Sequence, residues 1–207
     1  MKRIILFSLL FTVLFLNAQE KAVPVFKDGE SQIIDAFNTP NQWIRHDLWV
    51  ATNFDTDGDG KKDRMHVSVT RPFQTDTQDL KLPIIYVTSP YFAGVAPETE
   101  GAFWNVKHEI GEEVEGIVHP NIVRRGKRPI ISNSHIRKWV PRGYIVVHSS
   151  SPGTGLSQGA PTVGGQNESL APKAVIDWLC GRTKGYTEPY GDKTVSAYWS
   201  TGKVGMT

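Results

Sequence analysis

Two short apolar runs, residues 82–87 (LPIIYV) and 144–147 (YIVV), do most to limit what this chain can fold into. An uninterrupted run of that length suits a strand covered on both faces, the habit of parallel strands flanked by helices. Upstream, a turn cluster at residues 38–42 (NTPNQ) precedes strand-like sequence over 44–54. Met65, Val67 and Val69 then alternate with His66, Ser68 and Thr70, the period of a half-buried strand, which ends at Pro72. The Asp- and Gly-rich segment 55–63 joins these two stretches into a β-hairpin. Leu170, Ala174, Val175, Trp178 and Leu179 recur at helical spacing, with Ser169 as cap, Pro172 in the first turn and Gly181 past the end. Residues 203–207 read as the opening of a further buried strand. Between the two apolar runs, residues 92–138 carry glycines, prolines and clustered charge, which predicts a long surface excursion without regular structure. The order predicts an α/β fold in which an N-terminal β-hairpin leads into a mixed sheet that becomes parallel, with helices on both faces.

Lys2 and Arg3 precede an apolar run over residues 4–16, too short for a comfortable bilayer crossing at about 20 residues. It matches a signal-peptide core, with cleavage expected after Ala18; an uncleaved membrane anchor is the other reading. The expected division is residues 1–18 as signal peptide, 19–43 as an N-terminal extension and 44–207 as catalytic-domain sequence, in a periplasmic or secreted protein. Lys2 and Arg3 are two of the 23 Lys and Arg residues, so the chain from Gln19 onward carries 21 bases against 21 acids. A neutral body gives no footprint for nucleic acid and none for an anionic membrane. With one cysteine, Cys180, the chain forms no internal disulfide and no cysteine-clustered zinc site. Cys180 has no base beside it in sequence and reads as structural.

The sharpest local motif is Asp55-x-Asp57-x-Asp59-Gly60-x-x-Asp63 (DTDGDGKKD). Alternating carboxylates around a sharp glycine turn suit a hard cation, which makes these four residues candidate ligands of a structural calcium. The twelfth position is His66, which cannot close such a site with a bidentate carboxylate. The alternative is a hairpin turn whose Asp and Gly residues serve the backbone alone. His108-Glu109 lacks the second histidine of a zinc protease motif, since Glu112 stands at that position. Arg124, Arg125, Lys127 and Arg128 read as a solvated loop or a site for an acidic partner. Residues 149–159 (SSSPGTGLSQG) follow an apolar strand but lack the Gly-Lys-Ser/Thr ending of a phosphate loop. A strand-to-loop turn at a sheet's carboxyl edge is where ligands collect, so Ser151, Pro152 and Gly153 are candidate active-site wall.

Taken in order, DTDGDGKKDRMHVSVTRP, LPIIYVTSPYFAG, WVPRGYIVVHSSSPGTGLSQG, KAVIDWLCGRTKGYT and STGKVGMT resemble Xaa-Pro dipeptidyl-peptidases. These are serine peptidases of α/β-hydrolase type, related to cocaine esterase-like enzymes. The resemblance implies an α/β-hydrolase fold, incomplete within these residues, and release of Xaa-Pro dipeptides from peptide N-termini by a Ser-Asp-His triad. The serine stands on a strand-to-helix elbow. The resemblance places that elbow directly after residues 203–207, so the chain alone is expected to lack the triad, to be inactive and to be poorly stable. It also matches Tyr91 to a tyrosine whose hydroxyl helps form the oxyanion hole; a packing aromatic in a Pro-Tyr turn is the other reading. Many esterase-like relatives carry Asp-x-Arg-Gly where this chain has Ser150-Ser151-Pro152-Gly153, which favours the peptidase over an acyl esterase. A calcium-dependent extracellular binding module is the alternative of a different class. The implied partner is a peptide with proline at its second position; no cofactor is expected beyond the calcium, and the oligomeric state is left open.

Overall fold

The computed structural model describes residues 21–91 and 133–207. The signal-peptide segment, His108, His119 and the basic run at 124–128 lie outside the described residues. The strands are β1 (Phe26–Lys27), β2 (Glu30–Ser31), β3 (Ile44–Ala51), β4 (Arg64–Arg71), β5 (Leu82–Ser89), β6 (Ile145–Ser150), β7 (Gly185–Tyr186), β8 (Thr194–Val195) and β9 (Ser200–Met206). The helices are α1 (Gln74–Thr77), α2 (Ser134–Trp139) and α3 (Gln166–Leu179). None of the described helices is long and apolar enough to cross a membrane.

Seven strands form one sheet in the order β8-β7-β3-β4-β6-β5-β9. The expected hairpin is β3–β4, antiparallel from the pair Ile44 and Arg71 to the pair Ala51 and Arg64. β6 lies antiparallel to β4, while β5 is parallel to both β6 and β9. The hairpin thus feeds a parallel trio, the mixed sheet that the apolar runs call for. β6 inserts between β4 and β5, and β9 lands on the far side of β5. The parallel strands that follow β5 and β6 in sequence, β6 and β9, therefore lie on opposite sides of β5, a topological switch point of the kind at which ligands collect beside the strands' carboxyl ends.

Strand alternation sorts side chains onto two faces. Leu48, Val50, Met65, Val67, Val69, Ile84, Tyr86 and Val147 bury one face under Ala171, Val175, Trp178 and Leu179 of α3. Each fully buried aliphatic of this kind contributes about 1.5–3 kcal/mol. On the other face, Val146 and Ile85 pack with Ile136, Val140 and Trp43, so α2 covers that side. α2 is a correction to the expected irregular excursion, which reached residue 138. β4 is a second correction. His66, Ser68 and Thr70 are buried as fully as Met65, Val67 and Val69. The alternation separates two buried faces here, one apolar and one polar, and His66 Nε2 lies 3.1 Å from Asp47 Oδ1.

The apolar runs are less uniform than expected. In β5, Leu82, Ile84 and Tyr86 are buried while Pro83, Ile85 and Val87 are half-buried, and β9 is mostly exposed. β9 has β5 as its one strand neighbour among the described residues, so it stands as an edge. α3 starts earlier than its apolar period suggests. Gly165 is the N-cap, Ser169 lies inside the helix, and so does Pro172. The first residues, Gln166, Asn167 and Glu168, are polar and leave no periodic mark; Pro172 leaves the Glu168 carbonyl without its i+4 amide donor. Gly181 follows the helix at φ +77, as expected of a C-terminal glycine. The Gly- and Tyr-rich stretch beyond it hides β7 and β8. Gly185 is needed there because a Cβ would overlap the Trp178 indole, whose Nε1 donates to the Val195 carbonyl at 2.9 Å.

Candidate active site

The carboxyl ends of β5, β6 and β9 form one edge. Ser89 pairs with Ser150 across β5 and β6, Tyr86 pairs with Met206 across β5 and β9, and the Thr207 amide donates to the Tyr86 carbonyl at 3.1 Å. Tyr91 leaves β5 at this edge, more than half exposed, with its amide donating to Ser89 Oγ at 3.1 Å. Ser151, Pro152 and Gly153 leave β6 at the same edge. Register therefore brings the oxyanion candidate and the wall candidates to one end of the sheet. Pro152 is buried while Ser151 and Gly153 are half-buried. Gly153 has φ +64, and a Cβ there would overlap the backbone of Ala160 and Pro161, so this part of the wall folds back on itself.

Beneath the edge runs a chain of hydroxyls that the sequence reading missed. The Tyr86 phenol donates to Ser149 Oγ at 2.6 Å, Ser149 Oγ donates to Thr88 Oγ1 at 3.0 Å, and Thr88 Oγ1 donates to the Ser149 carbonyl at 3.4 Å. Burial pushes the Tyr86 phenol up to about 12, against the hydrogen bonds of Ser149 and Thr88, so it stays neutral. The signal available in sequence was a tyrosine inside an apolar run, since a buried phenol calls for a partner. Ser150 Oγ, at the same edge, is buried with no hydrogen-bond partner among the described residues.

The start of β4 lies beside the end of β6, which sets the 55–63 hairpin loop against the 151–159 loop. Oxygen atoms of Asp55, Asp57 and Asp63 lie within 4.8 Å of one another. Asp59 stands apart from that group: its Oδ1 accepts from the Lys61 amide at 2.8 Å and its Oδ2 lies 3.9 Å from Lys61 Nζ. Asp55 accepts from the Gly58 and Gly60 amides at 2.8 and 2.9 Å. Desolvation works to raise the Asp55 carboxyl, and the Gly58 and Gly60 amides outweigh it, holding it below the usual carboxylate range. Asp63 is buried, and its Oδ2 accepts from the amide and hydroxyl of Thr56 at 2.9 and 2.7 Å. His66, at the twelfth position, turns to Asp47 instead of the loop. His66 Nδ1 is buried and has no hydrogen-bond partner among the described residues.

An antiparallel hairpin leading into parallel strands, with polar loops gathered at the carboxyl edge, defines the leading part of an α/β-hydrolase fold. Residues 57–207 match the family described as X-Pro dipeptidyl-peptidase (S15 family), and the chain belongs to that family. A Rhodopirellula baltica protein carrying the Xaa-Pro dipeptidyl-peptidase name is 64% identical over 189 residues, 91% of this chain and 30% of its own length. The Xaa-Pro dipeptidyl-peptidase of Ligilactobacillus salivarius is 31% identical over 210 residues, 89% of this chain and 25% of its length. An alpha-amino acid ester hydrolase structure aligns over 84% of this chain and 22% of its own at 17% identity, with a TM-score of 0.42. The chain thus spans less than a third of the curated relatives it matches.

Proposed function

We propose that these residues form the leading part of an exported serine peptidase that releases Xaa-Pro dipeptides from peptide N-termini. The observation that supports this reading is the pairing of Ser89 with Ser150, after which Tyr91 and residues 151–153 leave the same carboxyl edge of parallel strands, in a chain of this family. Tyr91 serves as an oxyanion donor. A phenol held at a rigid strand end is placed before the reaction to meet developing negative charge, which is worth about 3 kcal/mol in such sites. The wall limits what lies beside the scissile bond. The 207 residues alone are proposed to be silent, and the signal-like residues 1–18 direct the protein to the periplasm or the exterior.

The test is hydrolysis of Ala-Pro and Gly-Pro chromogenic amides by the intact gene product and by the 207-residue chain. Turnover is expected from the first and not from the second. Tyr91→Phe in the active protein should lower kcat about 100-fold with little change in KM. Turnover of simple acyl esters with none of Xaa-Pro amides would move the assignment to an esterase, and an unchanged kcat in Tyr91→Phe would remove Tyr91 from the site.

A structural calcium held by Asp55, Asp57 and Asp63 belongs to the same proposal. It is favoured by the burial of Asp63, which no ion pair reaches among the described residues.

A further inference from the structure

The acidic hairpin loop and the wall loop are distant in sequence and joined in space. Thr56 Oγ1 accepts a hydrogen bond from the Ala160 amide at 2.8 Å while donating to Asp63 Oδ2 at 2.7 Å. Between them sits Gly159, at φ +89, where a Cβ would overlap both Thr56 Oγ1 and Asp63 Oδ2. The approach is so close that no other residue fits without displacing one of the two loops.

From Ala160 the constraint passes to the wall by contact. A Cβ on Gly153 would overlap the Ala160–Pro161 backbone, and the Gly153 amide donates to the Gln158 carbonyl at 3.0 Å. The stem of the wall is held separately. Ser157 Oγ accepts from the His66 amide at 2.9 Å and donates to the Ser150 carbonyl at 2.8 Å, and Gln158 Oε1 accepts from the Arg64 amide at 2.9 Å. β4 therefore fixes where the wall begins, and the acidic loop fixes where it returns.

We propose that Thr56 and Asp63 are positioning residues of the active site: their latch on Gly159 and Ala160 sets the place of residues 151–153, and with it how tightly substrate is bound. Resting on the peptidase reading given above, this gives the acidic loop a part in that site. A device acting on the wall and not on the oxyanion donor changes binding more than the chemical step.

The experiment uses the intact gene product with Thr56→Val, which keeps the side chain's shape and removes its hydrogen bonds, and Thr56→Ser, which restores the hydroxyl. Amide hydrogen exchange over residues 151–160 should quicken at least tenfold in Thr56→Val, with β6 unchanged, and return in Thr56→Ser. KM for an Ala-Pro amide should rise about tenfold in Thr56→Val with kcat within twofold, and Thr56→Ser should again recover it. If Thr56→Val fails to fold, Gly159→Ala, which pushes the same two loops apart, is read in its place. Unchanged exchange over 151–160, or a fall in kcat at constant KM, overturns the latch. A wild-type protein that turns over no Xaa-Pro amide sinks the peptidase reading instead, and the exchange measurement still decides the latch.

Discussion

The two ends of the sheet are held by opposite chemistry. At the carboxyl end of β5 and β6, neutral groups do the work: the Tyr86, Ser149 and Thr88 hydroxyls, with Ser157 and Gln158 on backbone amides. At the other end, where β4 finishes, the buried Arg71 guanidinium binds Asp76 through both carboxylate oxygens at 2.5 and 3.1 Å. Arg71 also donates to Thr75 Oγ1 and, at 3.1 Å, to the Tyr198 hydroxyl, and it lies 5.7 Å from the Trp199 ring. Charge fastens the end remote from the site, where it joins β4, α1 and the approach to β9. Neutral hydroxyls fasten the end where Tyr91 stands. The two ends lie about 23 Å apart, the length of the eight-residue β4 at about 3.3 Å per residue.

The sharpest way to break that contrast is at the charged end. Asp76→Ala leaves Arg71 buried with neutral partners only. Losing one partner of a fully buried pair costs about 3–5 kcal/mol, and the 40% exposure of the Asp76 side chain reduces this to about 2 kcal/mol. Urea denaturation of the intact protein should show it, and the double variant Arg71→Met, Asp76→Ala should recover most of the loss. Desolvation works to raise the Asp76 carboxyl, but the Arg71 and Tyr198 hydrogen bonds and the Arg71 charge hold it below the usual carboxylate range. A carboxyl depressed in the folded state contributes stability that is present above its unfolded value of about 3.9 and lost as pH falls through the folded value. The wild type should therefore lose stability more steeply than Asp76→Ala on acidification below about pH 4. Parallel profiles for the two would mean that the pair is not linked to folding.

Much of this frame was legible in the sequence, and the exceptions share a cause. The apolar runs became β5 and β6, and residues 55–63 became the β3–β4 turn. What failed was the assumption that a polar residue in an alternating strand faces water. His66, Ser68 and Thr70 are buried on the face that Val146 shares, where α2 and its apolar cluster pack on β6, and α2 lies in sequence that reads as loop. Two-residue strands such as β7 and β8 carry too few residues for any period to show. At the site, Tyr91 was found through a family resemblance and the wall through its strand-to-loop turn, and register brings them to one edge. The hydroxyl chain was hidden because Tyr86 counts as apolar inside LPIIYV, and only its buried phenol shows otherwise.

At the neutral end the corresponding change should be mild. Tyr86→Phe removes one buried hydroxyl and leaves Ser149 bonded to Thr88, so the loss should be about 1 kcal/mol in the same denaturation experiment. A loss as large as that of Asp76→Ala would erase the distinction between the two ends.

The smallest effect concerns Asp63, the one buried acid near the carboxyl edge among the described residues. Asp63 takes both hydrogen bonds on Oδ2 from Thr56, and its neighbours Asp55 and Asp57 bring like charge within 4.8 Å. A cation would relieve that crowding. The loop amides already occupy Asp55, and His66 leaves the closing position without a carboxylate, so binding should be weak, in the millimolar range of extracellular calcium modules. At a few-fold excess over such a dissociation constant, calcium should stabilise the protein by about 1 kcal/mol, and Asp57→Asn should abolish the gain. Calorimetric titration with calcium checks this directly. No heat and no thermal shift at millimolar calcium would show that the loop is completed by its own backbone.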